Sequence, residues 1–158
     1  MLPRCEGIHD ACKYFWPSHR LPYYGLHPEW GARLNRYLLV ALGGALGSVL
    51  RYFLTVTAVE RLGIRFPYGT LAVNISACFA LGLVMEYFNR HFGIGDAWKF
   101  LIPIGFIGGF STFSTFEWEA WSSFTSGGFW IGMVYVISSV AGGLIAVAVG
   151  TGAARALP

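Results

Sequence analysis

The chain has 158 residues, of which 55% are hydrophobic, 17% aromatic and 12% charged, and its mean hydropathy is +0.55. Soluble domains carry about 25% charged residues, so this composition excludes an ordinary soluble protein and predicts a polytopic membrane protein. The net charge of +3 is small and scattered, which excludes a nucleic-acid-binding surface. At roughly 20 residues for each span, the length allows about four membrane-spanning helices.

Residues 1–36 differ from the rest, since they hold four of the seven prolines and three of the four histidines. We expect an extra-membrane extension, disordered in one interpretation, before a transmembrane domain over residues 37–158. Its candidate metal ligands are Cys5, His9, Cys12 and His19. Their spacing matches no firm zinc signature, which favours a tail without a metal.

Four apolar segments follow the extension. They run over about residues 37–59, 68–88, 98–122 and 129–151. Backbone polar groups in lipid must be satisfied internally, so the segments are predicted to be helices and the fold class all-α. Lysine and arginine residues near the ends of the spans show a shallow bias, which leans toward both termini inside.

The first span carries Gly43, Gly47 and Arg51 on one helix face, four residues apart. The two glycines predict close contact with another helix. Arg51 has two interpretations: a basic vestibule that attracts an anion, or an arginine that snorkels to the interface.

The second span carries Asn74 on the same face as Thr70 and Ala77. An asparagine in hydrocarbon is costly unless it has a hydrogen-bonding partner. Its amide would donate either to a permeating anion or to a neighbouring helix.

The third span contains Gly108 and Gly109, followed by four hydroxyl residues in six positions. This composition makes a poor continuous helix and predicts a break at the two glycines. Broken membrane helices bind ions through freed backbone groups, and freed carbonyls near Gly108 and Ser111 would suit a small cation.

Phe113 and Phe116 lie three residues apart and therefore share a face of this span. The positive edges of their rings would stabilise a small anion in a narrow pore, or the rings simply pack. Phe106 and Phe110 extend the stripe and are predicted to pack.

Glu117 and Glu119 close the third span and indicate either a proton-coupled site or, as we favour, residues of the membrane interface. In the fourth span the hydroxyls of Tyr135, Ser138 and Ser139 form a polar track or bond to their own helix. A ridge of small residues is predicted to pack against a helix: Gly142, Ala146 and Gly150.

Three motifs together are similar to one family. They are GGALGSVLRY at residues 43–52, FPYGTLAVN at 66–74 and GGFSTFSTF at 108–116. In this order, in a four-span chain, they closely resemble the Fluc/CrcB fluoride channels. The resemblance implies channels rather than enzymes: dual-topology, antiparallel homodimers with two pores and a broken third helix. It also implies passive fluoride export across the bacterial inner membrane.

The resemblance also implies roles for individual residues. The fluoride pore would be lined by Asn74, Phe113, Phe116, Ser114, Thr115, Tyr135, Ser138 and Ser139. Arg51 would lie at the aqueous vestibule, and the backbone carbonyls of Gly108 and Ser111 would hold a structural Na⁺ at the dimer interface. The implied partners are fluoride, a second copy and membrane lipid. Ser48 and Ala77 depart from the family, which usually has alanine and glycine there.

The main alternative function is a small multidrug or guanidinium exporter, which also has four helices and dual topology. Such an exporter requires a membrane-embedded carboxylate for proton coupling, and the first span has none. A third candidate is a subunit that transports nothing and only assembles with other proteins. In such a subunit the break in the third span would have no function.

Overall fold

The structure is a computed structural model, and it describes residues 30–91 and 93–157. The candidate metal ligands of the extension lie outside the described residues. The helices in chain order are α1 (Trp30–Leu62), α2 (Tyr68–Arg90), α3 (residues 96–110), α4 (Phe113–Ser122, continued by a π-helical turn over Ser123–Gly127) and α5 (Phe129–Ala156). With α3 and α4 combined into one span, the described residues contain four helical segments long and apolar enough to cross a membrane. The prediction of four helical spans is confirmed.

α1 begins at Trp30, earlier than the apolar run predicted from residue 37. No proline occurs between Pro28 and Pro67, so no residue of this stretch lacks the N–H that a helix needs. The 33 residues of α1 span about 50 Å, longer than a hydrocarbon core of about 30 Å. The helix ends at Leu62, and the next residue, Gly63, has a positive φ of 80° and donates its N–H to the Val59 carbonyl.

Glycines allow the helices to pack in two close pairs. A Cβ at Gly43 or Gly47 would collide with the backbone of α3, which confirms the predicted close contact of the first span. On the other side, Gly82 of α2 meets the backbone of α5, and Gly150 of α5 meets the backbone of α2. The small-residue ridge of the fourth span is therefore a packing face, as predicted.

Two apolar clusters fill the space between these helices. The first consists of Val73, Ala77, Ile107 and Phe110, and the second of Phe116, Ala120 and Tyr135. Phe106 stacks on Phe110 with ring centroids 6.0 Å apart, so the prediction that these two rings pack is confirmed. Many other large apolar side chains are exposed, as expected for a protein whose solvent is lipid.

The third span is bent, but the break does not lie at the glycines. Gly108 and Gly109 belong to the helical segment Gly108–Phe110, whereas Ser111 and Thr112 have extended backbones with ψ of 161° and 121°. The predicted position was wrong because Gly109 serves another purpose: a Cβ there would lie 2.5 Å from the Gly44 carbonyl of α1.

Candidate functional site

Asn74 of α2 holds the break in the third span through two hydrogen bonds. Its Nδ2 donates to the Thr112 carbonyl at 3.0 Å, and its Oδ1 accepts from the Thr112 N–H at 2.9 Å. A backbone N–H can only donate, which fixes the orientation of the amide. Nδ2 carries a second N–H, and no acceptor for it lies among the described residues.

The break changes the partners of two carbonyls. In a continuous helix the N–H of Thr112 would donate to Gly108, and the N–H of Thr115 would donate to Ser111. Here the first donates to Asn74 and the second to the Thr112 hydroxyl. Gly108 and Ser111, the carbonyls assigned to a cation from the sequence, therefore both lose their helical donors.

Hydroxyl groups satisfy other groups around the break. Thr112 is the N-cap of α4: its Oγ1 accepts from the Thr115 N–H at 3.3 Å and donates to the Thr115 Oγ1 at 3.0 Å. Ser48 of α1 donates to the Gly109 carbonyl at 3.3 Å. Ser48 thus contacts the third span directly beside the break.

Phe113 and Phe116 occupy different environments although they share a helix face. Their ring centroids lie 5.9 Å apart, but Phe113 is 73% exposed and Phe116 only 7%. Phe116 packs against the ring of Tyr135 with centroids 5.3 Å apart. Phe113 therefore lies on an open surface beside the break, and Phe116 lies in the interior of the protein.

Glu119 faces the interior, beside the hydroxyl of Tyr135. Its carboxylate accepts one hydrogen bond from Thr70 at 2.8 Å and another from the fully buried Tyr135 at 2.7 Å. Of the two glutamates placed at the interface from the sequence, Glu117 is exposed, whereas Glu119 faces inward. The sequence contained one signal for this inward orientation: Glu119 follows Phe116 by three residues, so the two side chains lie on the same helix face.

The remaining hydroxyls assigned to the pore behave differently from one another. Ser138 donates to the carbonyl of Val134 at 2.6 Å, within its own helix, and Ser114 is exposed. Ser139 lies one helical turn beyond Tyr135, and its Oγ is buried without a hydrogen-bond partner among the described residues. Both serines lie one turn from Tyr135, but only the hydroxyl of Ser139 is without a partner.

Arg51 is half-buried on α1 and makes no hydrogen bond or ion pair with the described residues. Eleven residues, about 16 Å of helix, separate it from the end of α1 at Leu62. Arg51 forms no hydrogen bond with the residues around the break, although Ser48, one helical turn earlier on α1, bonds to Gly109 there.

Comparison with known proteins identifies relatives for most of the chain. A family model described as CrcB-like protein, Camphor Resistance (CrcB), matches residues 38–151. A fluoride-specific ion channel FluC from Solibacter usitatus is 46% identical over 120 residues, covering 76% of this chain and 98% of the relative. The protein of the same name from Acidobacterium capsulatum is 47% identical over 115 residues, covering 73% and 92%. That from Roseiflexus sp. is 40% identical over 121 residues, covering 77% and 98%.

Proposed function

This multi-pass membrane protein belongs to the CrcB family, and we propose that it is a fluoride-specific ion channel through which fluoride leaves the bacterial cytoplasm passively, across the inner membrane. The relatives named as fluoride-specific ion channels match over nearly their whole length, which supports a channel rather than an enzyme. The observation in the site that carries the proposal is Asn74, which holds the break and keeps an amide N–H for an anion.

Fluoride is small and strongly hydrated, so a pore must replace its water with donors that do not bind it too tightly. The second N–H of Asn74, the ring edges of Phe113 and Phe116, and neutral hydroxyls have this character. We assign the pore to these residues together with Ser114, Thr115, Tyr135, Ser138 and Ser139. The hydroxyls of Tyr135 and Ser138 already donate to the Glu119 carboxylate and the Val134 carbonyl, so these two side chains would line the route without donating to fluoride. The buried, unpartnered hydroxyl of Ser139 supports a continuation of the route along α5.

Arg51 supplies positive charge outside this neutral pathway. A half-buried arginine that lacks a counter-ion among the described residues raises the local concentration of anions. Its guanidinium forms no hydrogen bond or ion pair with the described residues, so its charge is available to attract an anion. This availability supports the role of a vestibule.

A Na⁺ ion fits the carbonyls of Gly108 and Ser111. Both are hard oxygen ligands that have lost their helical donors, which is the chemistry that small cations prefer. If two antiparallel copies met at their breaks, four such carbonyls would surround the ion. The ion would then stabilise the dimer and would not be transported.

The antiparallel dimer is supported by the exposed ring of Phe113. A pore residue that is 73% exposed in one subunit needs another surface to enclose it. The arrangement is testable with a single cysteine, Leu157→Cys, in a background where the three native cysteines are replaced by serine. An impermeant thiol reagent should label about half of the protein from each side of the membrane if both orientations are equally present. Labelling from one side only would exclude dual topology.

The conduction test uses the full-length protein in liposomes loaded with potassium fluoride and no proton gradient. A fluoride electrode should record efflux when valinomycin releases potassium, whereas liposomes loaded with chloride should retain their anion. Equal chloride efflux would exclude a fluoride-specific channel. A strict requirement for a proton gradient would instead support the exporter.

A further inference from the structure

A surface groove of about 320 Å³ lies between α1 and α2, apart from the break and its surrounding residues. It is lined by Leu54, Thr57, Ala58, Arg61, Leu62, Gly69, Ala72 and Ser76. The two hydroxyls in this lining already donate to carbonyls of their own helices: Thr57 to Phe53 and Ser76 to Val73. Apart from Arg61 the groove therefore presents apolar groups to its occupant.

The dimensions of the groove match one leaflet of the bilayer. Along α1 it extends from Leu54 to Leu62, which is about 12 Å of helix. Half of the hydrocarbon core measures about 15 Å. Since Leu62 is the last residue of α1, the groove runs from inside the bilayer to the membrane surface.

The surface end of the groove carries an excess of positive charge. Arg61 and Arg65 are both exposed, and neither forms an ion pair or hydrogen bond within the described part of the chain. The carboxylate nearest in sequence, Glu60, is also unpaired there and lies about 100° around the helix from Arg61. An apolar wall that ends at an exposed arginine, with a second exposed arginine four residues later in the chain, is complementary to an acyl chain attached to a phosphate.

We propose that this groove binds an anionic phospholipid, with one acyl chain between α1 and α2 and its phosphate at Arg61 and Arg65. Gly69 and Ala72 belong to the wall on α2: Gly69 lets α2 approach Thr55 of α1 closely at the floor, and the small, exposed side chain of Ala72 leaves space for the chain. The binding requires only that the protein spans a membrane, so it stands independently of fluoride conduction.

The test is native mass spectrometry of the full-length protein in detergent with equal amounts of phosphatidylglycerol and phosphatidylethanolamine. The wild type should retain mainly phosphatidylglycerol. Ala72→Trp fills the groove and should lose most of this lipid, whereas Ala148→Trp, at an exposed alanine of α5 outside the groove, should keep it. Elution on size-exclusion chromatography at the wild-type volume shows that each variant is folded.

A second variant tests the charge without changing the shape of the groove. Arg61→Gln should lower the preference for phosphatidylglycerol about fivefold. Arg36→Gln removes an exposed arginine at the opposite end of α1 and should leave the preference unchanged. The proposal is overturned if Ala72→Trp binds phosphatidylglycerol like the wild type, or if Arg61→Gln leaves the preference unchanged. It is also overturned if Ala72→Trp alone dissociates a dimer, because a second copy would then cover the groove.

Discussion

Replacing Asn74 by alanine tests the central feature of the site. The amide makes two hydrogen bonds with the backbone of Thr112, which is 8% exposed, and keeps one N–H for the proposed anion. Asn74→Ala removes all three donors and acceptors at once. We therefore expect a less stable break and a large loss of fluoride efflux.

The expected decrease in the free energy of unfolding follows from the two lost hydrogen bonds. Hydrogen bonds between membrane helices contribute about 0.6 kcal/mol on average and at most about 1.7 kcal/mol. Two such bonds set the expected decrease in the free energy of unfolding at about 1 to 3 kcal/mol. Unfolding in increasing sodium dodecyl sulfate, followed by tryptophan fluorescence, would measure this decrease.

Two further variants separate conduction from stability. Thr112→Val removes the helix cap of α4, at a cost of about 1 kcal/mol, but keeps the backbone that Asn74 bonds. It should reduce efflux much less than Asn74→Ala does. Asn89→Ala makes the same substitution at an exposed asparagine at the end of α2 and should change neither quantity. Wild-type efflux from a correctly assembled Asn74→Ala protein would refute the assigned pore, and so would equal losses in Asn74→Ala and Thr112→Val.

Three other substitutions have defined expectations. Gly47→Ala should lower the free energy of unfolding by about 1 to 3 kcal/mol, since its Cβ would collide with the backbone of α3. Gly152→Ala should not lower the free energy of unfolding, because no atom lies within 4 Å of the position of its Cβ. Phe113→Leu should reduce fluoride-electrode efflux while its elution on size-exclusion chromatography stays that of the wild type, whereas Phe53→Leu, at another exposed phenylalanine, should conduct normally. Equal efflux from both would remove Phe113 from the proposed pore. Tyr135→Phe keeps the ring but loses the bond to a carboxylate, so both stability and efflux should fall; unchanged efflux would leave this tyrosine a structural role only.

Much of the architecture was predictable because it depends on local chemistry. The four spans follow from the length of the apolar runs, and the packing of Gly43 and Gly47 follows from their spacing on one helix face. The motifs that resemble the family lie within the residues that the family model matches. These features require no knowledge of which helices are neighbours.

The position of the break and the inward orientation of the Glu119 side chain were not predictable from local chemistry. Gly108 and Gly109 have weak intrinsic helix propensity, yet both are helical: α1 packs closely against Gly109, and the chain opens at Ser111 instead. Glu119 follows Trp118, an exposed residue typical of the interface, but its own carboxylate meets Thr70 across the subunit.

The sequence by itself determined a four-span membrane protein and its family, because hydropathy and motif spacing are properties of the chain alone. Only the tertiary structure decided that Asn74 holds Thr112 and that Gly108 and Ser111 lose their helical donors. These pairings depend on the axial register of α2 against the third span, which packing over the whole interface sets. The low charge that first excluded a soluble protein also leaves neutral donors to line the proposed anion path.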